Sequence, residues 1–163
     1  MSVRAGRRLP DLGPRGEGWF LIQVIILGAI ALAGLLGPAW SGLPRAAGFA
    51  AGALLIIAGG LLATRGVLDL GVNLTVFPRP RGDARLVDSG AYRLVRHPIY
   101  GGLILGAFGW GLVTASPVAL GGALLLAGFF DLKSRREEIW LAEQLDGYDR
   151  YRDRTRRLLP WLY

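Results

Sequence analysis

One short stretch, RLVRHPIYGG, holds the only histidine of the chain, His97, between Arg96 and Pro98. Proline fixes φ at about −65° and lacks an N–H, so Pro98 suits the first turn of a helix. His97 therefore lies at or just before a helix N-terminus, where unpaired N–H groups attract anions. Arg96 adds a full positive charge, and Tyr100 adds a hydroxyl on roughly the face of His97. These residues predict a binding site for a carboxylate or phosphate.

Two adjacent carboxylates, Glu137 and Glu138, supply the opposite charge further along the chain. Neighbouring residues of a helix point about 100° apart, so one carboxylate can face solvent while the other faces the protein. An inward carboxylate near His97 would hold an ammonium or sulfonium group. The alternative is that His97 is an interfacial residue and that the two glutamates balance Arg135 and Arg136 on a solvated face.

The residue inventory excludes several other chemistries. The chain has no cysteine, which excludes disulfides, thiolate metal sites and a cysteine nucleophile. A single histidine excludes a zinc or haem site built on several imidazoles. We therefore predict no metal site. The net charge of +7 would suit nucleic acid, but the positions of the basic residues argue against it.

The elements that must position these residues are membrane helices. The chain is 52% hydrophobic, and Asp, Glu, Lys and Arg are absent from Trp19 to Pro44, from Ala46 to Thr64 and from His97 to Phe130. A span needs about 20 apolar residues, which the first two runs provide. The third run predicts a hairpin of two short helices, 97–113 and 118–130, the second continuing through Lys133. We predict an all-α polytopic membrane protein with four transmembrane helices.

The basic residues predict the orientation of these helices. They cluster in the N-terminal segment, which includes Arg4, Arg7 and Arg8, in residues 65–96, and in the tail from Lys133. Four spans place all three clusters on one side, with only Arg45 opposite, so both termini are expected in the cytoplasm. The first apolar run is expected to be a retained anchor rather than a cleaved signal.

The predicted helices and the polar segments between them make up a single membrane domain. Its parts are a cytoplasmic N-terminal segment (1–18), helices one and two (19–64), a cytoplasmic segment (65–96), a helical hairpin (97–132) and a cytoplasmic tail (133–163). Residues 65–96 and the tail are predicted to form a cytoplasmic cap. The tail is predicted to begin as an amphipathic helix in the bilayer interface, with Ile139, Trp140 and Leu145 on one face and Arg135, Arg136 and Glu143 on the other.

Glycines on predicted helices two and three favour close helix packing. They are Gly48, Gly52, Gly59 and Gly60 on helix two and Gly102, Gly106 and Gly109 on helix three. A glycine face on helix three can also admit a flat ligand, but packing is the favoured interpretation.

The second half of the chain, about residues 70–160, resembles the isoprenylcysteine carboxyl methyltransferase family of integral-membrane enzymes. The shared pattern is L-V-x-x-G-x-Y-x-x-x-R-H-P-x-Y-x-G, then Glu-Glu, then Y-x-x-Y and a terminal R-x-x-P. The matching residues are Leu86, Val87, Gly90, Tyr92, Arg96, His97, Pro98, Tyr100, Gly102, Glu137, Glu138, Tyr148, Tyr151, Arg157 and Pro160. The chain departs from the family at Leu145-Asp146-Gly147, where Phe-Gly is usual, and at Arg156, where proline is common.

The resemblance implies an S-adenosylmethionine cofactor enclosed between the cytoplasmic cap and the ends of the last two membrane helices. By that likeness the cofactor pocket is lined by Arg85, Leu86, Val87, Tyr92, His97, Pro98, Ile99, Tyr100, Glu137 and Glu138. Lys133 falls where the family places a substrate-side basic residue, and Arg93 and Arg157 are further candidates on that side. No catalytic base is assigned: a carboxylate acceptor needs none, and for an amine or hydroxyl the candidates are His97 and Glu138.

The function implied is methyl transfer to a lipophilic acceptor that enters from the bilayer, for which a prenylcysteine-like carboxylate is the family example. Arg93 or Lys133 would steer an acidic acceptor, or the flanking arginines would bind phosphates of membrane lipids. Two other functions stay open. One is an NADPH-dependent membrane reductase of the sterol-reductase type, and the other is a non-enzymatic membrane subunit.

Overall fold

The computed structural model describes residues 9–41 and 45–159, and its regular elements there are helices without a β-strand, so the predicted all-α class is confirmed for these residues. The helices are α1 (Glu17–Leu36), α2 (Arg45–Leu70), α3 (Pro98–Val113), α4 (Pro117–Gln144) and α5 (Tyr148–Arg154), with short 3-10 helices at Gly71–Asn73 and Gly90–Arg93. Arg4, Arg7, Arg8 and Pro160, which entered the sequence predictions, lie outside the described residues.

Three helical segments in the described part are long and apolar enough to cross a membrane. They are Glu17–Leu36, Arg45–Asn73 and Pro117–Gln144. Helix α3 is also apolar, but its 16 residues fall short of the roughly 20 that a perpendicular span requires. Length and composition therefore identify three candidate spans and one shorter apolar helix.

The predicted hairpin of α3 and α4 is confirmed. Both helices begin with a proline, whose missing N–H and fixed φ suit the first helical position. The Ser116 hydroxyl caps α4 by accepting a hydrogen bond from the Ala119 N–H at 3.1 Å, and it donates to the Ala33 carbonyl of α1 at 3.1 Å. The hairpin turn is thereby joined to α1.

Two helices extend beyond their predicted ends. Helix α2 continues to Leu70, and α4 runs unbroken to Gln144, so residues 133–144 complete a long helix and do not form a separate interfacial one. The predicted amphipathic division was wrong, because Trp140 is buried while Ile139 is 43% exposed. The Arg136 guanidinium lies 4.1 Å from the centroid of a Trp140 ring and pairs with Asp11 of the N-terminal segment. Contacts with other segments therefore decide which side of this helix end is buried.

Helices α2 and α3 approach each other through facing glycines. A Cβ added to Gly52 would lie 2.6 Å from the carbonyl oxygen of Gly109, and one added to Gly59 would lie 2.5 Å from that of Gly102. Side chains at these positions would push the two backbones apart. The packing interpretation is confirmed for these four glycines, whereas a Cβ on Gly106 would meet nothing within 4 Å.

Two polar segments meet at the end of the bundle where α3 begins and α4 ends. They are residues 71–97 and 145–159, together called the cap below. Val95 and Arg156 pair as in a parallel strand, and the N–H groups of Arg96 and His97 donate to the carbonyls of Arg156 and Arg157 at 2.8 and 3.0 Å. The two segments are therefore one hydrogen-bonded unit.

Candidate active site

A cavity of about 350 Å³ lies between the cap and the adjoining ends of the helices. This volume falls within the range of roughly 300–1,000 Å³ that is usual for small-molecule sites. The wall includes apolar side chains, among them Phe20, Val67, Leu70 and Leu141, and the polar groups Gln23, Arg85, His97, Tyr100, Lys133 and Glu137. The cavity thus combines an apolar surface with several charged groups.

Most of the predicted site residues line this cavity. Those that do are Arg85, Leu86, Val87, Tyr92, His97, Ile99, Tyr100, Lys133 and Glu137. Four others do not line it. Pro98 is buried at the start of α3, where it faces Gly66, and Arg93 is exposed on the surface. Glu138 and Arg157 lie behind the cavity wall, where they contact each other.

Glu137 presents a carboxylate to the cavity. The Tyr100 hydroxyl donates to its Oε2 at 2.6 Å, and His97 Nδ1 lies 4.0 Å from its Oε1. The His97 and Tyr100 rings stack with centroids 5.3 Å apart, and the Tyr100 ring stacks on Phe130 at 4.5 Å. The Glu137 side chain remains 20% exposed. A carboxylate held in this way retains capacity to accept charge-assisted hydrogen bonds from a ligand.

Glu138 faces the opposite way, into a buried network. Its Oε1 accepts hydrogen bonds from Arg96 Nε at 2.8 Å and Arg157 Nε at 3.2 Å, and it lies 3.2 Å from His97 Nε2. Arg96 also donates to two carbonyls of the tail. Neither adjacent glutamate is on a solvated face, because the cap covers this end of α4.

The anion site predicted at the start of α3 is not formed as expected. The His97 N–H donates to the Arg157 carbonyl, and the Leu158 carbonyl packs against Gly101 in the first turn of α3. The Arg96 charge is directed to Glu138 and the tail. The backbone of the tail therefore faces the helix start, a contact that the local sequence could not reveal.

Three buried tyrosines of the cap line the cavity: Tyr92, Tyr148 and Tyr151. Burial raises the pKa of each phenol well above its ordinary value of 10, and the nearby Glu137 carboxylate raises the pKa of Tyr92 further. All three are therefore neutral at physiological pH. The Tyr151 hydroxyl donates to the Tyr92 carbonyl at 2.6 Å, while the buried Tyr148 hydroxyl has no partner among the described residues.

Two polar residues that shape the site were not predicted. The Asn73 side chain bonds both the N–H and the carbonyl of Arg85, each at 3.1 Å. Gln23 of α1 accepts a hydrogen bond from the Lys133 ammonium at 2.5 Å. A signal for Gln23 exists, because a polar side chain inside an apolar helix often indicates a functional contact. Asn73 follows the end of α2 and carries no comparable signal.

Comparison with known protein families shows the family to which the chain belongs. The family model described as phospholipid methyltransferase matches residues 47–146, which is more than half of the chain. The chain belongs to this family, whose members are membrane methyltransferases related to the isoprenylcysteine carboxyl methyltransferases. The predicted resemblance is therefore confirmed at the level of the family, and membership implies methyltransferase activity. No curated protein matches the chain. Helices α1 and α5 lie outside the matched residues.

Proposed function

We propose that this protein transfers a methyl group from S-adenosylmethionine to a lipophilic acceptor that is partitioned into the membrane. The family assignment gives the reaction class, and the proposal adds the donor and the kind of acceptor. The observation that carries it is the Glu137 carboxylate, which is held by Tyr100 and directed into a cavity where an apolar bundle meets a polar cap.

The polar groups of the cavity fit S-adenosylmethionine, the proposed methyl donor. The Glu137 carboxylate suits the ammonium of the methionine part, and the Arg85 guanidinium suits its carboxylate. The Tyr148 hydroxyl is buried without a partner in the described residues, and leaving such a group unsatisfied costs about 1–3 kcal/mol. A polar atom of a bound ligand would relieve that cost.

The bound donor supplies an electrophilic methyl group on a sulfonium sulfur. The protein contributes position and exclusion of water, which can provide a large part of the acceleration of an in-line displacement. A carboxylate acceptor is already a nucleophile. A phospholipid amine would first lose a proton, for which His97 remains the candidate base because it lines the cavity, whereas Glu138 lies behind the cavity wall.

The proposed topology has four spans with both termini in the cytoplasm. The basic segments of the cap lie at one end of the bundle and Arg45 begins α2 at the other, which supports this orientation. Helix α3 is about 24 Å long, shorter than a hydrocarbon core of about 30 Å. Local thinning of the bilayer around α3 would accommodate the difference.

The test is calorimetric titration of the detergent-purified protein with S-adenosylhomocysteine. We expect saturable binding that weakens at least tenfold in Glu137→Gln, because a charge-assisted hydrogen bond contributes about 1.5–3 kcal/mol. Glu143→Gln is the matched control, since Glu143 is exposed on the same helix and should bind within twofold of wild type. Transfer of a radiolabelled methyl group into extracted lipid completes the test.

NADPH titrated in the same buffer separates the other functions. Saturable NADPH binding without S-adenosylhomocysteine binding would replace the proposal with a reductase. Binding of neither compound would indicate a non-enzymatic membrane subunit.

A further inference from the structure

We infer that Glu138 is a positioning residue: it keeps His97 neutral with the ring hydrogen on Nε2, so that Nδ1 is a hydrogen-bond acceptor at the cavity wall. Such an acceptor suits an ammonium group of a ligand, whereas the local sequence predicts a site for a carboxylate or phosphate. The identity of the ligand rests on the proposed function. The state of the ring is a property of the protein alone.

The contact between Nε2 and Glu138 determines where the ring hydrogen lies. The His97 side chain is 4% exposed, and its Nε2 lies 3.2 Å from Glu138 Oε1. An ionised carboxylate only accepts hydrogen bonds, so Nε2 must be the donor. The opposite tautomer would place the Nε2 lone pair against a carboxylate oxygen, and two buried acceptors in contact are unfavourable. In the neutral ring the hydrogen is therefore on Nε2.

The orientation of the imidazole is fixed by its neighbours. The His97 N–H donates to the Arg157 carbonyl at 3.0 Å, and the His97 carbonyl accepts from the Gly101 N–H at 3.0 Å. The Tyr100 ring stacks on the imidazole with an interplanar angle of 4°. A flipped ring would turn a carbon toward Glu138 and would lose the contact with Nε2. Each ring nitrogen therefore keeps its own neighbour.

The charges around the ring favour its neutral form. On the Nε2 side, ion pairs link three cations and two carboxylates, namely Arg96, Arg135, Arg157, Asp131 and Glu138. On the cavity side, the opposite charges of Lys133 and Glu137 line the wall. An imidazolium would add a buried positive charge to a network that already has more cations than carboxylates, and burying such a charge is costly.

Nδ1 lies on the cavity side, near Glu137, and has no hydrogen bond to the described residues. Glu137 Oε1 is 4.0 Å from it, which is longer than the roughly 2.7–3.2 Å of an N–H···O bond. The other oxygen of Glu137 accepts from the Tyr100 hydroxyl. Nδ1 and Glu137 Oε1 are therefore two neighbouring acceptors, which one ammonium group can bridge with a hydrogen bond to each.

Two molecules of the proposed reaction could supply this ammonium group. One is the methyl donor, through its methionine part, and the other is a methyl acceptor that carries an amine. The chemistry at Nδ1 is the same in both cases, because the group donates a hydrogen bond to the ring nitrogen. The experiment below separates the two sources.

The first measurement uses the fact that His97 is the only histidine of the chain. Protein without a histidine tag is labelled with ring-15N-histidine, and couplings to the ring C–H protons distinguish Nε2 from Nδ1. In the ligand-free protein at physiological pH, we expect the Nδ1 shift of an unprotonated nitrogen, far downfield of Nε2. The reverse order would overturn the inference. So would two similar shifts, which an imidazolium or exchanging tautomers would give.

The second measurement tests the role of Glu138. Glu138→Gln removes the charge that favours hydrogen on Nε2, so the second tautomer should become populated and the two shifts should approach each other. Glu143→Gln, the same change at an exposed position of α4, should leave both shifts unchanged. Glu137→Gln should also keep Nδ1 unprotonated. An unchanged spectrum of folded Glu138→Gln, or protonation of Nδ1 in Glu137→Gln, would overturn the inference. If Glu138→Gln does not fold, the wild-type and Glu137→Gln spectra still test it.

The third measurement identifies the source of the ammonium group. One pair of ligands is S-adenosylhomocysteine and its deaminated analogue, and the other is a short-chain phosphatidylethanolamine and the matching phosphatidylethanol. We expect the Nδ1 signal to move upfield with the amine-bearing member of one pair and to stay in place with its amine-free counterpart. A response to neither amine would overturn the assignment of Nδ1 as a ligand acceptor. If calorimetry shows no binding of S-adenosylhomocysteine, the proposed function fails, while the ligand-free spectrum still tests the state of the ring.

Discussion

Glu137 and Glu138 are adjacent in the chain but belong to two different regions of the molecule. The Glu138 region is a network in which one carboxylate contacts Arg96, His97 and Arg157, and its side chain is 5% exposed. The Glu137 region is a cavity wall, where the Tyr100 hydroxyl donates a hydrogen bond to one oxygen of the Glu137 carboxylate. The comparison shows how one residue type joins a buried network on one face of α4 and presents a carboxylate to a cavity on the next.

The largest effect is expected at the network. Glu138→Ala leaves buried guanidinium groups without their carboxylate, and breaking a buried pair in this way costs about 3–5 kcal/mol. Thermal unfolding followed by circular dichroism should show a strongly lowered melting temperature or no folded protein. Glu137→Ala should melt close to wild type while losing ligand binding. Equal melting temperatures for the two variants would contradict the division between the regions.

The glycine seam of α2 and α3 should be the next most sensitive position. Gly59→Ala places a Cβ against the Gly102 backbone, and forcing atoms into a packed interface costs about 1–3 kcal/mol. Gly60→Ala meets nothing within 4 Å and should be neutral or slightly stabilising. Urea unfolding in detergent compares the two variants. Similar losses for both would show that helix propensity, not close packing, determines the effect.

A smaller effect is expected at Tyr100. Of the two adjacent glutamates, its hydroxyl contacts only Glu137, the one that faces the cavity. Tyr100→Phe removes the 2.6 Å hydrogen bond to Glu137 but keeps the stacked ring, so the loss should be about 1 kcal/mol. Titration with S-adenosylhomocysteine should show about fivefold weaker binding. An unchanged dissociation constant would mean that the hydroxyl does not help to orient the carboxylate.

The smallest effect concerns the cap at alkaline pH. The pKa values of Tyr92, Tyr148 and Tyr151 are raised in the folded protein, so folding favours their neutral forms. Their contribution to stability is complete below the unfolded pKa of about 10 and declines as the pH rises above it. Absorbance at 295 nm should show these phenols ionising together with the loss of the circular dichroism signal. Ionisation near pH 10 with the helices intact would show that the cap is open to solvent.

The local elements were well predicted where a single residue type restricts the backbone. Pro98 begins α3 as expected, and the turn after Val113 divides the long apolar run, with α4 beginning at Pro117, one residue before its predicted start. The predicted pocket residues from Arg85 to Tyr100 came from a family pattern, and most of them line one cavity. The ends of α2 and α4 were misjudged, since charged residues there find partners in other segments.

Hydrophobic run length, proline and motif spacing act locally, so the apolar helices, the hairpin and the family could all be predicted from the order of residues. The pairing of the charged side chains could not be predicted in this way and became visible in the folded protein. Arg96 turns to Glu138 and the tail, while Lys133 is left with Gln23 at the cavity. The physical reason is that the partner of a side chain is often a residue from a distant segment. The fold brings the two within hydrogen-bond reach, and no local sequence pattern indicates that they will meet.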